Sequence, residues 1–309
     1  MTRTTLFICS VYPDLTRVWY HYASRYTDLT HVRILVYDCG GHLDSARMAR
    51  ARVERRPNIE HGLNIDRAVA ECRTPVMFLS DDDTFLVSPR AETEAAVALT
   101  TDGRLAAVSY CPREWWHLMI DRVPHPVIGT SALVFRTDLV RAEGLSFRRV
   151  PTEDPSIRNG EEGCYDTGDY LAEQLLRRGY LVSVPPAAVR RSRVLGYSGV
   201  SRGFLRYARF AGLRAGWIPT LRGAALEADL VAQASDRSWP LQRLRWACGI
   251  AATIGLHRKA LGTDPVFTDF PDWDTLAGIA SRFPDACRTE AGRLVAASRD
   301  IQAELVQAA

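Results

Sequence analysis

The first half of the chain alternates short, almost uninterrupted apolar runs with longer stretches in which apolar residues recur every three or four positions. The runs at residues 6–11, 32–37, 75–79 and 105–110 have the length and continuity of strands buried on both faces of a parallel sheet. Residues 14–25, with Val18, Trp19 and Tyr22 on one side, 61–72 and 89–99 have helical periodicity, and the basic segment 45–56 reads as a further helix. Residues 127–136 form another strand, entered through the small residues Gly129, Thr130 and Ser131. A helix with Leu171, Leu175 and Leu176 inward then stops at Gly179 before a short strand. This alternation predicts a doubly wound, mostly parallel α/β sheet over residues 1–190. Residues 191–309 read as a helical C-terminal region, with helices at 224–235, 241–256, 274–282 and 289–307.

The run at 75–79 leads through Ser80 into three successive carboxylates, Asp81, Asp82 and Asp83. Ligands of open α/β sheets sit beyond the carboxyl ends of the parallel strands, so the triplet falls where a ligand belongs. Like charges this close resist sharing a site unless a cation compensates them. An all-oxygen donor set selects a hard ion, Mg²⁺ or Mn²⁺, of the kind that joins protein carboxylates to substrate phosphates. The competing reading is a solvated turn that caps the next segment.

Other candidates are spread along the chain. Asp38 closes the second run before Gly40 and Gly41, where a carboxylate accepts from a base N–H or a sugar hydroxyl, or simply makes an Asp-Gly turn. Residues 112–126, with Trp115, Trp116, His117, Asp121 and His125, read as an aromatic loop suited to a sugar face or a partner, or as satellite core. Residues 151–163, with Glu153, Asp154, Glu161 and Glu162, read as a lid. Asp169 opens a helix behind Gly168, and taken alone it does no more than favour the helix dipole. Residues 190–223 hold eight arginines and no acid, interleaved with Tyr197, Phe204, Tyr207, Phe210 and Trp217. Such a stretch suits a diphosphate, an anionic acceptor, a membrane surface or a solvated face.

Composition narrows the class. With 47% hydrophobic and 24% charged residues over 309 positions, the chain is globular. Lys259 is its one lysine, so arginine abundance is chain-wide and carries no function by itself. A net charge of +3 is too small to indicate a nucleic-acid partner. Seven cysteines without a CxxC pair or zinc-type spacing fit a reduced, intracellular protein. The first apolar run is too short for a signal peptide, and no window reaches the roughly 18 apolar residues of a membrane span. The expected location is cytoplasmic, extending to the inner face of the membrane. Neither GxGxxG nor GxxxxGK[ST] occurs, which excludes the usual dinucleotide and P-loop sites.

In their order, these features resemble the GT-A nucleotide-sugar glycosyltransferases, especially the large family 2 and, at the acidic triplet, the exostosin-like enzymes, over residues 4–190. The resemblance implies a GT-A-like fold. It makes Asp38 the uridine contact and Asp81-Asp82-Asp83 the DxD motif, with Asp83 and Asp81 on the metal and Asp81 and Asp82 toward the ribose. A shifted register would make Asp82 the ligand. Asn64 and Arg191 join the expected donor-binding set, and Gly129-Thr130-Ser131 is similar to the strand lining the acceptor side. Thr167-Gly168-Asp169 is similar to the acidic base motif, with Gly168 where its first acid stands and Asp166 as the substitute. The late metal-binding His is missing, and Arg190, Arg191 and Arg193 stand near its place. Gln242 to Trp246 matches the QxxRW of processive members, but lies far beyond Asp169 without neighbouring membrane helices and reads as chance. The implied activity is Mn²⁺- or Mg²⁺-dependent transfer from an NDP-sugar, foremost a UDP-sugar, to a hydroxyl of a small-molecule, glycan or lipid-linked acceptor. Asp169 is the implied base of an inverting reaction, and a retaining outcome is the nearest variant. The rival readings are a sugar-phosphate nucleotidyltransferase and a non-catalytic carbohydrate- or lipid-binding protein.

Overall fold

The structure, a computed structural model, describes residues 3–152, 164–212, 217–232, 241–263 and 270–309, without the side chains of residues 114–116. It begins with β1 (Thr4–Ser10), α1 (Pro13–Tyr26), β2 (Val32–Asp38), β3 (Ala51–Arg55), α2 (His61–Glu71), β4 (Val76–Ser80), β5 (Thr84–Leu86) and α3 (Arg90–Thr101). There follow β6 (Leu105–Ser109), β7 (Arg113–Ile120), β8 (Val123–Val127), β9 (Ala132–Arg136), α4 (Thr137–Ala142), α5 (Asp169–Arg177), β10 (Leu181–Ser183) and α6 (Ala187–Arg191). Then come β11 (Val194–Gly196), α7 (Val200–Tyr207), β12 (Ala208–Phe210), β13 (Trp217–Pro219), α8 (Gly223–Ala232), α9 (Gln242–Ala260), α10 (Trp273–Ser281) and α11 (Asp285–Ala308). The chain divides into two compact units, one of Met1–Val11 and Ala23–Val194, the other of Tyr12–Tyr22 and Leu195–Ala309.

In the first unit the apolar runs become the centre of a seven-stranded sheet of order β10-β6-β9-β4-β1-β2-β3. Every neighbouring pair is parallel except the two made by β9. The architecture is therefore the mixed, mostly parallel α/β sheet expected. From β1 the chain moves outward to β2 and β3, then returns to β4 on the other side of β1, which places the topological switch point between β1 and β4. Ser10 pairs with Asp38, and Ser80 with Ala132, so the ends of β1, β2 and β4 and the entry to β9 open on one edge.

Burial on both faces explains the uninterrupted runs: β4 is buried at every position and β1 at all but Cys9. On one face Phe7, Tyr37, Met77, Leu79 and Phe135 pack with Ile65 of α2, Leu139 of α4 and Leu171 and Leu175 of α5. Each such side chain, fully buried, contributes about 1.5–3 kcal/mol. On the other face Phe78 stacks on Tyr110, whose hydroxyl donates to the Ala91 carbonyl of α3 over 2.7 Å.

Two expectations change. Residues 45–56 are not a helix but a 3-10 turn at Ser45–Met48 followed by β3, which pairs in parallel with β2. Backbone pairing at the sheet edge overrides the helical composition, and Arg56 lies over the Tyr37 ring at 4.8 Å while its guanidinium holds Glu71 at 2.6 Å. Residues 112–126 are not a loop but the hairpin β7–β8, turning at Asp121 and Arg122 with φ of 51° and 66°. Leu118 and Ile120 are buried and His117 and Met119 exposed, the period of two that a strand imposes. The lid expected at 151–163 lies, from residue 153 on, outside the described residues, and with it Glu153, Asp154, Glu161 and Glu162.

The second unit is mainly helical, as expected. Tyr12, Phe204 and Trp217 form an aromatic cluster with centroids 5.2–5.4 Å apart. The hydroxyls of Tyr22 and Tyr197 donate to carbonyls of α11 at Leu305 and Ser298, over 2.8 and 3.0 Å. The segment Gln242 to Trp246 opens α9, and its Arg243, together with Arg206 of α7, pairs with Asp229 of α8. Among the described residues no helix is long and apolar enough to cross a membrane.

Candidate active site

At the end of β4 the backbone closes a tight turn, Thr84 N–H donating to the Asp81 carbonyl over 3.2 Å. Asp81 is held from the entry to β9: its N–H donates to the Ser131 carbonyl at 3.0 Å, and the Ser131 hydroxyl donates to Oδ2 at 2.7 Å. Asp82, 5% exposed, instead accepts from the Ser10 hydroxyl across the switch point. Burial pushes its carboxyl up to about 7, with the Asp81 charge adding and the Ser10 hydroxyl opposing. Asp83 is 4% exposed. Burial, then Asp81 and Asp83, push the Cys111 thiol up to about 12, while Arg190 pulls it down. The charge of Arg190 therefore reaches this corner, whereas Arg191 is exposed at the end of α6.

Among the described residues no three His, Cys, Asp or Glu side chains form a ready-made metal cluster. The donors present are the carboxylates of Asp81 and Asp83, with the half-buried Cys111 thiol near them. That set fits a hard divalent ion, which takes one or two protein carboxylates and completes its shell with phosphate and water.

Asp38 is buried, and its carboxylate accepts the backbone N–H groups of Gly41 at 2.7 Å, His42 at 3.3 Å and Leu43 at 3.0 Å. These fill most of the roughly four acceptor positions of a carboxylate, so Asp38 organises the turn after β2. Asn64 of α2 donates through Nδ2 to the Pro57 carbonyl at 3.3 Å and to Cys39 Sγ at 3.4 Å. Both contacts fix the amide orientation and leave Oδ1 a buried acceptor with no partner.

A second acidic centre stands at the start of α5. The Arg113 guanidinium forks, Nη1 to Asp169 Oδ2 at 2.6 Å and Nη2 to Asp166 Oδ2 at 2.7 Å. Asp169 is fully buried, its Oδ2 also receives the Asp166 N–H at 3.2 Å, and its Oδ1 has no partner. Burial pushes this carboxyl up to about 7; Arg113 opposes and Asp166 adds. A carboxylate poised near neutrality, oriented through one oxygen and unmet at the other, has the equipment of a general base. The Asp166 side chain is 38% exposed and forms the outer arm of the same fork. Gly168, at φ 83°, is needed here because a Cβ would stand 2.9 Å from Thr130 Cγ2. Neighbouring residues Thr130 and Ser131 thus touch Gly168 and Asp81, and link the two acidic centres.

Most of the predicted residues therefore share one edge, with Asp38 turned to its own loop and Arg191 outward. Arg193 pairs with Glu94 at 3.0 Å, and Arg214 lies outside the described residues, as do the Trp115 and Trp116 side chains. Sequence reasoning missed Arg113 and Ser10, and named Ser131 only as part of the small-residue entry to the acceptor strand, not as the partner of Asp81. Only the demand of two acids for a cation pointed to Arg113, and that demand says nothing of where along the chain the cation comes from.

No family model matches the chain, and no curated protein does. Among solved structures it is similar to the mannosyltransferase PcManGT of Pyrobaculum calidifontis in complex with GDP-Man and Mn²⁺, at 14% identity over 97% of this chain and 75% of that one, with a TM-score of 0.45. It is similar to glucosyl-3-phosphoglycerate synthase of Mycobacterium tuberculosis in complex with phosphoglyceric acid, at 13% identity over 59% of this chain and 69% of that one, TM-score 0.42. It is also similar to S. aureus TarS 1–349 in complex with UDP-GlcNAc, at 10% identity over 99% of this chain and 89% of that one, TM-score 0.42.

Proposed function

We propose that the protein is a GT-A-type glycosyltransferase that moves a sugar from an NDP-sugar, foremost a UDP-sugar, to an acceptor hydroxyl with inversion. The observation that carries this reading is the meeting of two acidic centres at one sheet edge, the Asp81–Asp83 triplet beside the switch point and the Arg113-held pair Asp166 and Asp169. Asp83 and Asp81 would hold Mn²⁺ or Mg²⁺, which when bound neutralises charge on the departing diphosphate. Arg190, whose charge is felt at Cys111, would add a cation toward the diphosphate, and Asn64 Oδ1 would take a base N–H. Arg113 fixes Asp169 through Oδ2, so that Oδ1 accepts the proton of the acceptor hydroxyl as that oxygen attacks the anomeric carbon. Asp166, on the exposed arm of the fork, is the second reading for the base.

Purified protein incubated with a panel of NDP-sugars and Mn²⁺ should release nucleoside diphosphate. Asp83→Asn or excess EDTA should reduce that release by about 10²-fold or more. Full turnover under either condition removes the metal role. Release of pyrophosphate from an NTP and a sugar phosphate would identify a nucleotidyltransferase instead.

A further inference from the structure

Residues 200–222, which the proposed reaction does not use, build α7 and the β12–β13 hairpin of the second unit. Helix α7 turns Val200, Gly203, Phe204 and Tyr207 inward. Phe204 packs on Tyr12 and Trp217, and a Cβ on Gly203 would stand 2.9 Å from Trp246 Cβ of α9. The opposite arc of α7 carries Arg202, Leu205 and Arg206, all exposed, at the i, i+3 and i+4 spacing that makes side chains neighbours on a helix. In the hairpin the inward positions include Ala208 and Trp217, both buried, while Arg209 and Ile218 pair across the strands on the outward face. Thr220 ties the end of β13 to the last turn of α7, its N–H donating to the Tyr207 carbonyl over 2.9 Å and its hydroxyl to the Arg206 carbonyl over 2.8 Å.

These outward faces combine apolar reach with positive charge. Leu205 is 76% exposed, the most exposed large apolar side chain among the described residues, and Ile218 is 45% exposed. No acidic residue occurs between positions 190 and 223. Asp229, the carboxylate that meets α7, is shared by Arg206 and by Arg243 at 2.9 Å, so that cluster keeps one positive charge. Arg202 and Arg209 pair with no acid among the described residues. We propose that α7 and the hairpin are a docking surface for an anionic lipid bilayer, with Arg202 and Arg209 at the headgroup phosphates and Leu205 and Ile218 entering the acyl boundary. A nucleic acid or an acidic peptide would answer the charge and leave both aliphatic side chains in water; an anionic bilayer answers both. Among the described residues no helix is long and apolar enough to span, so the contact is with the surface of the bilayer.

The test sediments the full chain with vesicles of phosphatidylglycerol and phosphatidylcholine in equal parts, and with vesicles of phosphatidylcholine alone. Binding is expected to the first and not the second, and to weaken in about 0.5 M salt. Arg202→Gln and Arg209→Gln should each lower partitioning about five-fold, and Leu205→Ser about ten-fold. All three side chains are exposed, so thermal unfolding of the variants should match the wild type, which separates lost docking from lost fold. Arg33→Gln with Arg55→Gln, two exposed arginines of the first unit, should leave partitioning within two-fold or so of the wild type. Absence of binding to the anionic vesicles, equal binding to phosphatidylcholine, or an equal loss in the Arg33 and Arg55 variant overturns the proposal. Binding that polyglutamate abolishes and Leu205→Ser leaves unchanged would make the surface a polyanion site and refute the bilayer.

Discussion

Replacing Asp169 by Asn separates its chemistry from its effect on stability. Its carboxyl is moved from an ordinary 3.8 to about 7, which at 1.36 kcal/mol per pH unit is a cost of about 4 kcal/mol for holding the charged form in the folded protein. The sign follows from proton counts. Between pH 4 and 7 the folded state keeps a proton that the unfolded chain has lost, so this carboxyl makes stability fall as pH rises through that window and leaves it level above. Asparagine has no such slope. The attraction of Arg113 for the charged form is already contained in the shift, and the protonated acid, like the amide, offers Arg113 a neutral oxygen. Asp169→Asn should therefore exceed the wild type by about 1–2 kcal/mol at pH 5 and by about 4 kcal/mol at pH 8, several degrees in Tm. Transfer should fall by about 10²–10⁴, with nucleotide affinity near that of the wild type. Chemical denaturation at the two pH values and single-turnover transfer measure both effects. A variant less stable than the wild type at pH 8 by as much as at pH 5 would show an Asp169 ionised and paired far below neutrality, and the argument for a poised base would fall. If transfer survives in Asp169→Asn and is lost in Asp166→Asn, the base is the exposed arm of the fork.

Other expectations follow from the same geometry. Arg113→Gln removes the group that opposes burial at Asp169, so the acid limb of the kcat profile should move to higher pH, with kcat at pH 7 falling while donor KM holds; an unmoved limb would make Arg113 only a structural pin. Asp38→Asn leaves one oxygen to serve the three N–H groups of residues 41–43 and should cost about 1–3 kcal/mol in urea denaturation, whereas a loss of uridine selectivity without loss of stability would restore it as a base contact.

The parts of the fold that were legible in the sequence are those where one period dominates. Strands β1, β2, β4 and β6 are buried on both faces and read as unbroken runs, and α1, α2 and α5 carry clear apolar faces. The edge strand β3 was not legible, because arginines that snorkel along a sheet edge have the composition of a solvated helix. The β7–β8 hairpin was hidden for a different reason. Its turn uses Asp121 and Arg122 at positive φ without the Asn-Gly or Asp-Gly pair that announces such a turn.

The site divides along the same line. Its acids were legible because each is marked by local sequence, the triplet by the strand it ends and Asp169 by the helix it opens. Their partners were not, since the Arg113 guanidinium reaches Asp166 and Asp169 across 53 and 56 residues and the Ser10 hydroxyl reaches Asp82 across 72. Those distant partners set the chemistry. Buried without Arg113, Asp169 would hold its proton well above neutrality; paired on both oxygens, it would lose the proton too early and have no acceptor left. A single fork that engages one oxygen of each acid gives an intermediate result, a carboxylate near 7 with one oxygen unmet. Whether an acidic residue at a helix start is a cap or a base is therefore decided by a strand more than 50 residues upstream, which is where a search for the base in related sequences should begin.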